Sequence, residues 1–542
     1  MGMGPYVEGH VLSWVLFMPG ATALLLLLSG GLLRALFGSS GLPGEVWRAV
    51  ALGSTALTLL LVVAGVLPAF DSETFGLQLV EYASWLPAYG VQYFVAIDGI
   101  NLFLVLLTAL MVPVALLASW NQVDRSLRSF VFFVLLFESA ALGVFLSFNV
   151  LLFHLFWQLA LVAMYFIIGI WGGRRRIFVA TKFLLHTGIG SVLMWVAVLV
   201  LFRLNLEATG VASLDLVTPP GGGAPGLLEL AIPGTSAGVE WWRSQPWLFA
   251  GFGLAFAVTL PLFPLHGWFP DAQAEAPTAG SALLAAILLQ MGVYGLLRLA
   301  LPLFPEAAAA FAPAIRGLAL FSIVYAGVRA FAETDLKRTV AYLAMVQLGF
   351  LLLGVFSLEE IGLVGGAVGM LSRGLTVAAL VIAVGMLEER RGTRRADAFG
   401  GLAGPMPFFA VFLGVALLAS AGLPGSSGFV FELFALAGAF LANAGTGVLA
   451  CLAGLVGAVG LYRLYRKVIF GPIEVEANRG LMDLDWRERA LVVVLLLPIL
   501  GLGLFPNPAL RRIEPSVLEV TRHIASGAGS EAATEAAAGS AR

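Results

Sequence analysis

Apolar residues run along this chain in long blocks separated by short polar stretches. Blocks of about 20 apolar residues are long enough to cross a bilayer as helices. About fourteen such spans are read, near 11–33, 47–68, 97–119, 129–147, 149–171, 178–202, 246–265, 277–301, 309–331, 335–357, 360–387, 405–441, 446–470 and 488–506. Two of them are interrupted. The seventh meets Pro261 and Pro264, which a continuous helix would not carry in its interior, and then a polar cluster of His266, Trp268, Asp271, Gln273 and Glu275. The twelfth carries Gly422, Pro424, Gly425 and Gly428, followed by Glu432. Inside a membrane, irregular backbone is tolerated only where protein buries it or it lines a wet cavity, and broken helices mark ion and substrate paths.

The two breaks are five spans apart, an odd number, so equivalent helices would run in opposite directions. The expected fold class is therefore an all-α integral membrane protein of about fourteen transmembrane helices, with two broken helices in an inverted five-helix repeat. Residues 1–128 form an N-terminal three-span region. Residues 129–302 form the first repeat, broken near 261, and 303–470 the second, broken near 424. Residues 471–525 hold a polar segment and the last span, and the low-complexity tail 526–542 is expected to be disordered.

Charge sorting orients the spans. The loops holding Arg125 and Arg128, Arg174 to Arg176, Lys337 and Arg338, and Arg390 to Arg395 are basic, whereas the stretch with Asp71, Glu73 and Glu81 is acidic. The positive-inside rule then puts the basic loops in the cytoplasm, and the Pro/Gly-rich loop 203–245 and both termini outside a bacterial-type cytoplasmic membrane.

Of 542 residues, 60% are hydrophobic and 11% charged, where a soluble domain carries about twice that charge. Net charge is near zero, which points away from nucleic acid. Cys451 is the only cysteine and the five histidines are scattered, so no metal centre and no resident cofactor are expected.

Several strings carry a resemblance. They are VAIDGINLFLVLLTALMVP from Val95, FESAALGVFLSFNVLLFHLFWQLALVAMYFIIGIWGG from Phe137, PLHGWFPDAQAEAPTAGS from Pro264, ETDLKRTVAYLAMVQLGF from Glu333 and LASAGLPGSSGFVFELF from Leu418. Together they resemble the antiporter-like membrane subunits of respiratory complex I, subunit M above all. The resemblance implies partners in the other membrane-arm subunits and the lipid bilayer, with quinone reached only through other subunits. It implies a role in proton translocation coupled to electron transfer, through a central chain of charged residues. A cation/proton antiporter subunit and a purely structural spacer of the membrane arm are the alternatives.

This sequence departs from that chain. The family's glutamate in span five is matched by Gln158, its lysines in spans seven and eight by Thr259 and Gln290, and its histidines in spans ten and eleven by Gln347 and Arg373. Glu432 stands unchanged, and Glu138, Lys182, His266, Asp271 and Glu275 are kept. The proton-path candidates are thus Glu138, Lys182, His266, Arg373 and Glu432, and a rerouted path through Glu138, Lys182, His154 and His186 competes with a degenerate one. Asp335, Lys337 and Arg338 read as interfacial anchors. A mid-membrane arginine needs a carboxylate partner, so an Arg373–Glu432 ion pair is expected.

Overall fold

A computed structural model describes residues 9–37, 43–219 and 243–539, and between the last two ranges residues 222, 225–230 and 232. Half of the Gly221–Gly226 run lies outside the described residues. The elements are α1 (Val11–Phe37), α2 (Gly44–Ala69), strands β1 (Gln78–Leu86) and β2 (Val91–Ile97), α3 (Gly99–Ala118), α4 (Leu127–Leu146), α5 (Val150–Trp171), α6 (Arg176–Thr209), α7 (Gln245–Thr259), α8 (Phe269–Glu275) and α9 (Thr278–Leu303). They continue with α10 (Pro305–Ala332), α11 (Leu336–Val355), α12 (Glu360–Arg391), α13 (Pro407–Ser420), α14 (Ser427–Ala442), α15 (Ala444–Ile469), α16 (Trp486–Leu504) and α17 (Asn507–Gly539). Among the described residues 11 helices are long and apolar enough to cross a membrane, or up to 12 if α16 and α17, bent by 72°, count as one span. The expected seventh span falls on the shorter α7, the twelfth on α13 and α14, and the last on α16.

Polar residues set many helix starts. Asp98, Asn149, Asp335 and Asp485 each accept backbone N–H bonds at the first turn of α3, α5, α11 and α16, satisfying donors that a helix start leaves orphaned. Helices α9, α11 and α12 are enclosed, whereas α6, α10 and α15 show one face outward. The outward faces carry Ile189, Val192, Phe321, Leu452 and Leu455, as lipid-facing surfaces do.

Two expectations need correcting. Residues 78–97, read as loop, form an antiparallel hairpin turned by Gly90 at φ 66°; their β-branched and aromatic side chains suit a strand. Helix α6 continues to Thr209, into the stretch read as an external loop. Helix α17 runs as far as Gly539, and the Ala and Glu content of its last turns favours helix.

Both expected breaks are present. Helix α7 stops at Thr259, and a turn followed by one 3₁₀ stretch, Leu265–Trp268, leads into α8. Helix α13 stops at Ser420, and α14 starts at Ser427. Between them Gly422 and Gly425 hold φ of 68° and 92°, a left-handed backbone that glycine adopts without penalty. Gly428 packs so closely on the Ala419 carbonyl that a Cβ would collide with it. Gly428→Ala should therefore lower stability by roughly 1–3 kcal/mol through overpacking, whereas Gly404→Ala, in open space, should not; melting of the two detergent-solubilised variants checks this.

Candidate functional site

The polar residues of the seventh-span break meet the basic loops at one edge. Lys182 on α6 donates to Asp271 of α8 at 2.7 Å and to the Gly267 carbonyl at 2.6 Å. Arg338 on α11 reaches the other oxygen of Asp271 at 2.6 Å. A second group continues alongside: Lys337 pairs with Glu388 at 2.8 Å, and Arg394 pairs with Asp335 at 3.1 Å and lies 3.8 Å from Glu388. Lys337 also donates to the Ala276 carbonyl at 3.1 Å, and Glu275 accepts from the Arg175 N–H at 3.0 Å. Asp335, Lys337 and Arg338 are thus members of an ion-pair network, not free interfacial anchors. Lys337 is only 2% exposed, and snorkelling to solvent would leave Glu388 without it.

His266 sits within this break. Its Nε2 lies 3.1 Å from the Tyr325 hydroxyl, and its ring packs against Phe263 and Tyr325. His186 turns back on its own helix, its Nδ1 2.8 Å from the Lys182 carbonyl. Of the expected path residues, Lys182 alone makes an ion pair here, and His266 lies beside that pair without bonding to it.

The interior is different in kind. Thr259 bonds the Ala255 carbonyl at 3.0 Å, and Gln290 the Ala285 carbonyl at 3.4 Å. Gln347 donates to the Ser420 carbonyl, at the end of α13, at 2.9 Å. Gln158 lies 3.4 Å from His154, its neighbour one turn back. Gln158 and Thr259 share no hydrogen bond, although Trp157 and Phe256 beside them pack edge to face. Amides and hydroxyls of this kind orient water but do not titrate. Glu138 is wholly buried and neither carboxyl oxygen has a protein partner.

The expected Arg373–Glu432 ion pair is absent. Arg373 is wholly buried and donates from one Nη to the Ala344 carbonyl on α11 at 3.2 Å, while its Nε and other Nη have no partner. Glu432 turns instead toward Gly422, where a side chain would strike its carboxylate. It lines a cavity of about 240 Å³ with Gln347, Ser420, Leu436 and Cys451. Adjacent helices brought the two residues near in sequence logic, but the guanidinium and the carboxylate face different neighbours.

Sequence reasoning missed one buried pair, Asp98 with Arg298. Asp98 caps α3 and Arg298 lies near the end of α9, its guanidinium 4.9 Å from the centre of the Phe148 ring. The run FVAIDGIN gives the acid away as a helix cap, but nothing local marks its partner 200 residues on. Between α6 and α7, Asp215 accepts from the Asn149 amide at 2.8 Å. Burial pushes the Asp215 carboxyl above its usual range, against that hydrogen bond.

Comparison with known proteins places this geometry. Residues 147–457 match the family described as NADH:quinone oxidoreductase/Mrp antiporter, TM. NADH-quinone oxidoreductase subunit M of Rhodobacter capsulatus is 34% identical over 520 residues, covering 95% of this chain and 97% of the relative. Subunit M of Pseudomonas aeruginosa is 39% identical over 432 residues, covering 79% and 81%. Among solved structures, a chain of respiratory complex I from Thermus thermophilus with bound NADH superposes with a TM-score of 0.81 at 28% identity, covering 95% of this chain and 99% of that one. With its two broken helices and its buried polar core, this chain belongs to the NADH:quinone oxidoreductase/Mrp antiporter membrane family, alongside the subunit M proteins.

Proposed function

We propose that this chain is a membrane-arm subunit of a proton-translocating NADH:quinone oxidoreductase, in which the family's central charge chain is interrupted. The observation that carries the assignment is the match to a subunit M along 95% of the chain. The interruption rests on Gln158, Thr259, Gln290 and Gln347, neutral side chains where the family resemblance implies titratable ones. The ion pairs cluster at two edges, around Asp271 and around Asp98, while Glu138, Arg373 and Glu432 stand in the interior without a charged partner among the described residues. The subunit then holds its place among other membrane-arm subunits in a bacterial cytoplasmic membrane, with basic loops inside and termini outside, and quinone bound elsewhere in the complex. The two halves around the breaks form an inverted repeat in this reading. A stand-alone cation/proton antiporter would need titratable groups at the positions of Gln158 and Gln290.

Copurification tests it. A tagged copy extracted in mild detergent should bring down other membrane subunits together with a hydrophilic arm that oxidises NADH. Recovery with small hydrophobic subunits alone would favour the antiporter reading, and a clean monomer would contradict both.

A further inference from the structure

A cavity of about 390 Å³ lies on the edge opposite the basic loops, beneath α17. At about 30 Å³ per molecule it has room for on the order of ten waters. Asp98 and Arg298 line its inner end, and Glu519, Arg522 and His523 of α17 line its outer end. The roof is seated firmly. Ser516 accepts from the Gly99 N–H at 2.9 Å, and α17 crosses so close to Gly99 that any side chain there would strike the Arg512 carbonyl. Arg298 is 8% exposed, and its Nε has no protein partner.

Polar groups lead inward from the pair. Asp98 accepts from the Asn101 N–H at 3.0 Å, and the Asn101 amide donates to the Phe145 carbonyl at 2.9 Å. The Tyr294 hydroxyl donates to the same carbonyl at 2.9 Å and lies beside the Arg298 guanidinium. Tyr294 is four residues from Gln290 on α9, so the two share a helix face, and Phe145 lies two turns beyond Glu138 on α4. Glu138 and Gln290 are wholly buried, with three oxygens lacking a protein donor between them. Buried acceptors of this kind are met by ordered water.

We propose that this cavity is an aqueous proton port, and that Asp98, held by Arg298, connects it to the buried Glu138. Only a proton moves. An O–H bond on Glu138 is exchanged through water for one on Asp98, and the ion pair loosens as Asp98 takes up the proton. The cavity then returns that proton to bulk water. The relay rests on the reading of the chain as part of a proton-translocating complex; the wetness of the port does not.

Two arms separate these claims. In the intact complex carrying Cys451→Ala, Val217→Cys on the cavity wall should react with a membrane-impermeant cationic thiosulfonate on the order of tenfold faster than Leu497→Cys on the lipid-facing surface, because only a hydrated thiol ionises. Equal rates would overturn the port whatever the complex does. In vesicles, Asp98→Asn keeps the helix cap, since Asn caps as well as Asp, but cannot carry the proton. Protons moved per NADH oxidised should fall while NADH oxidation itself continues. Should Arg298 left alone prevent assembly, Asp98→Asn with Arg298→Met removes both charges and should show the same loss. An unchanged ratio in an assembled variant would overturn the relay. A complex lacking any NADH-oxidising arm would contradict the functional reading and leave the labelling result standing.

Discussion

Thr259→Lys is expected to destabilise the protein by about 3–5 kcal/mol, the cost of a buried charge without a counter-charge. Thr259 is 1% exposed at the end of α7 and spends its hydroxyl on the Ala255 carbonyl. The neighbouring α5 offers Trp157 and the neutral Gln158, so a lysine would find an aromatic wall and an amide. Melting of the purified complex should fall sharply or assembly should fail. A tolerated lysine would mean that water or a carboxylate reaches the site, and that the interior still accommodates a charge chain.

Asp271→Ala should have the second-largest effect, on the order of 2 kcal/mol, between the roughly 0–1 kcal/mol of an exposed pair and the 3–5 of a buried one. Asp271 serves two cations at once, and the side chains of Lys182, Asp271 and Arg338 are 26%, 15% and 30% exposed. Lys182→Ala and Arg338→Ala should each cost less, because the other cation keeps the aspartate paired. Denaturation of the three variants side by side checks the order. Equal losses for all three would mean that the aspartate does not bridge α6 to α11.

The spans were legible because hydrophobic length alone identifies a membrane helix. The breaks were legible because Pro261, Pro264, Gly422 and Gly425 disrupt helices locally. What stayed hidden depended on partners remote in sequence. Lys337 looks like any interfacial anchor until Glu388 is placed beside it at 2.8 Å, and Asp98 looks like a simple helix cap until Arg298 meets it. Arg373 and Glu432 show the converse. Charge logic paired them, but α11 offers a carbonyl to the arginine and the α13–α14 break leaves the glutamate facing a cavity. The β1–β2 hairpin was obscured because its apolar residues were read against helical blocks.

The central claim is that the family's charged route no longer runs through this subunit's core, and Glu432 tests it most directly. It stands where the resemblance implies a path glutamate, and it faces a cavity lined by neutral Gln347, with no ion pair to it among the described residues. The measurement is protons translocated per NADH oxidised in vesicles containing the complex with Glu432→Gln. The account predicts a ratio equal to that of the unaltered complex. A clear loss of translocation with assembly and NADH oxidation intact would show that Glu432 still carries protons, and would contradict it.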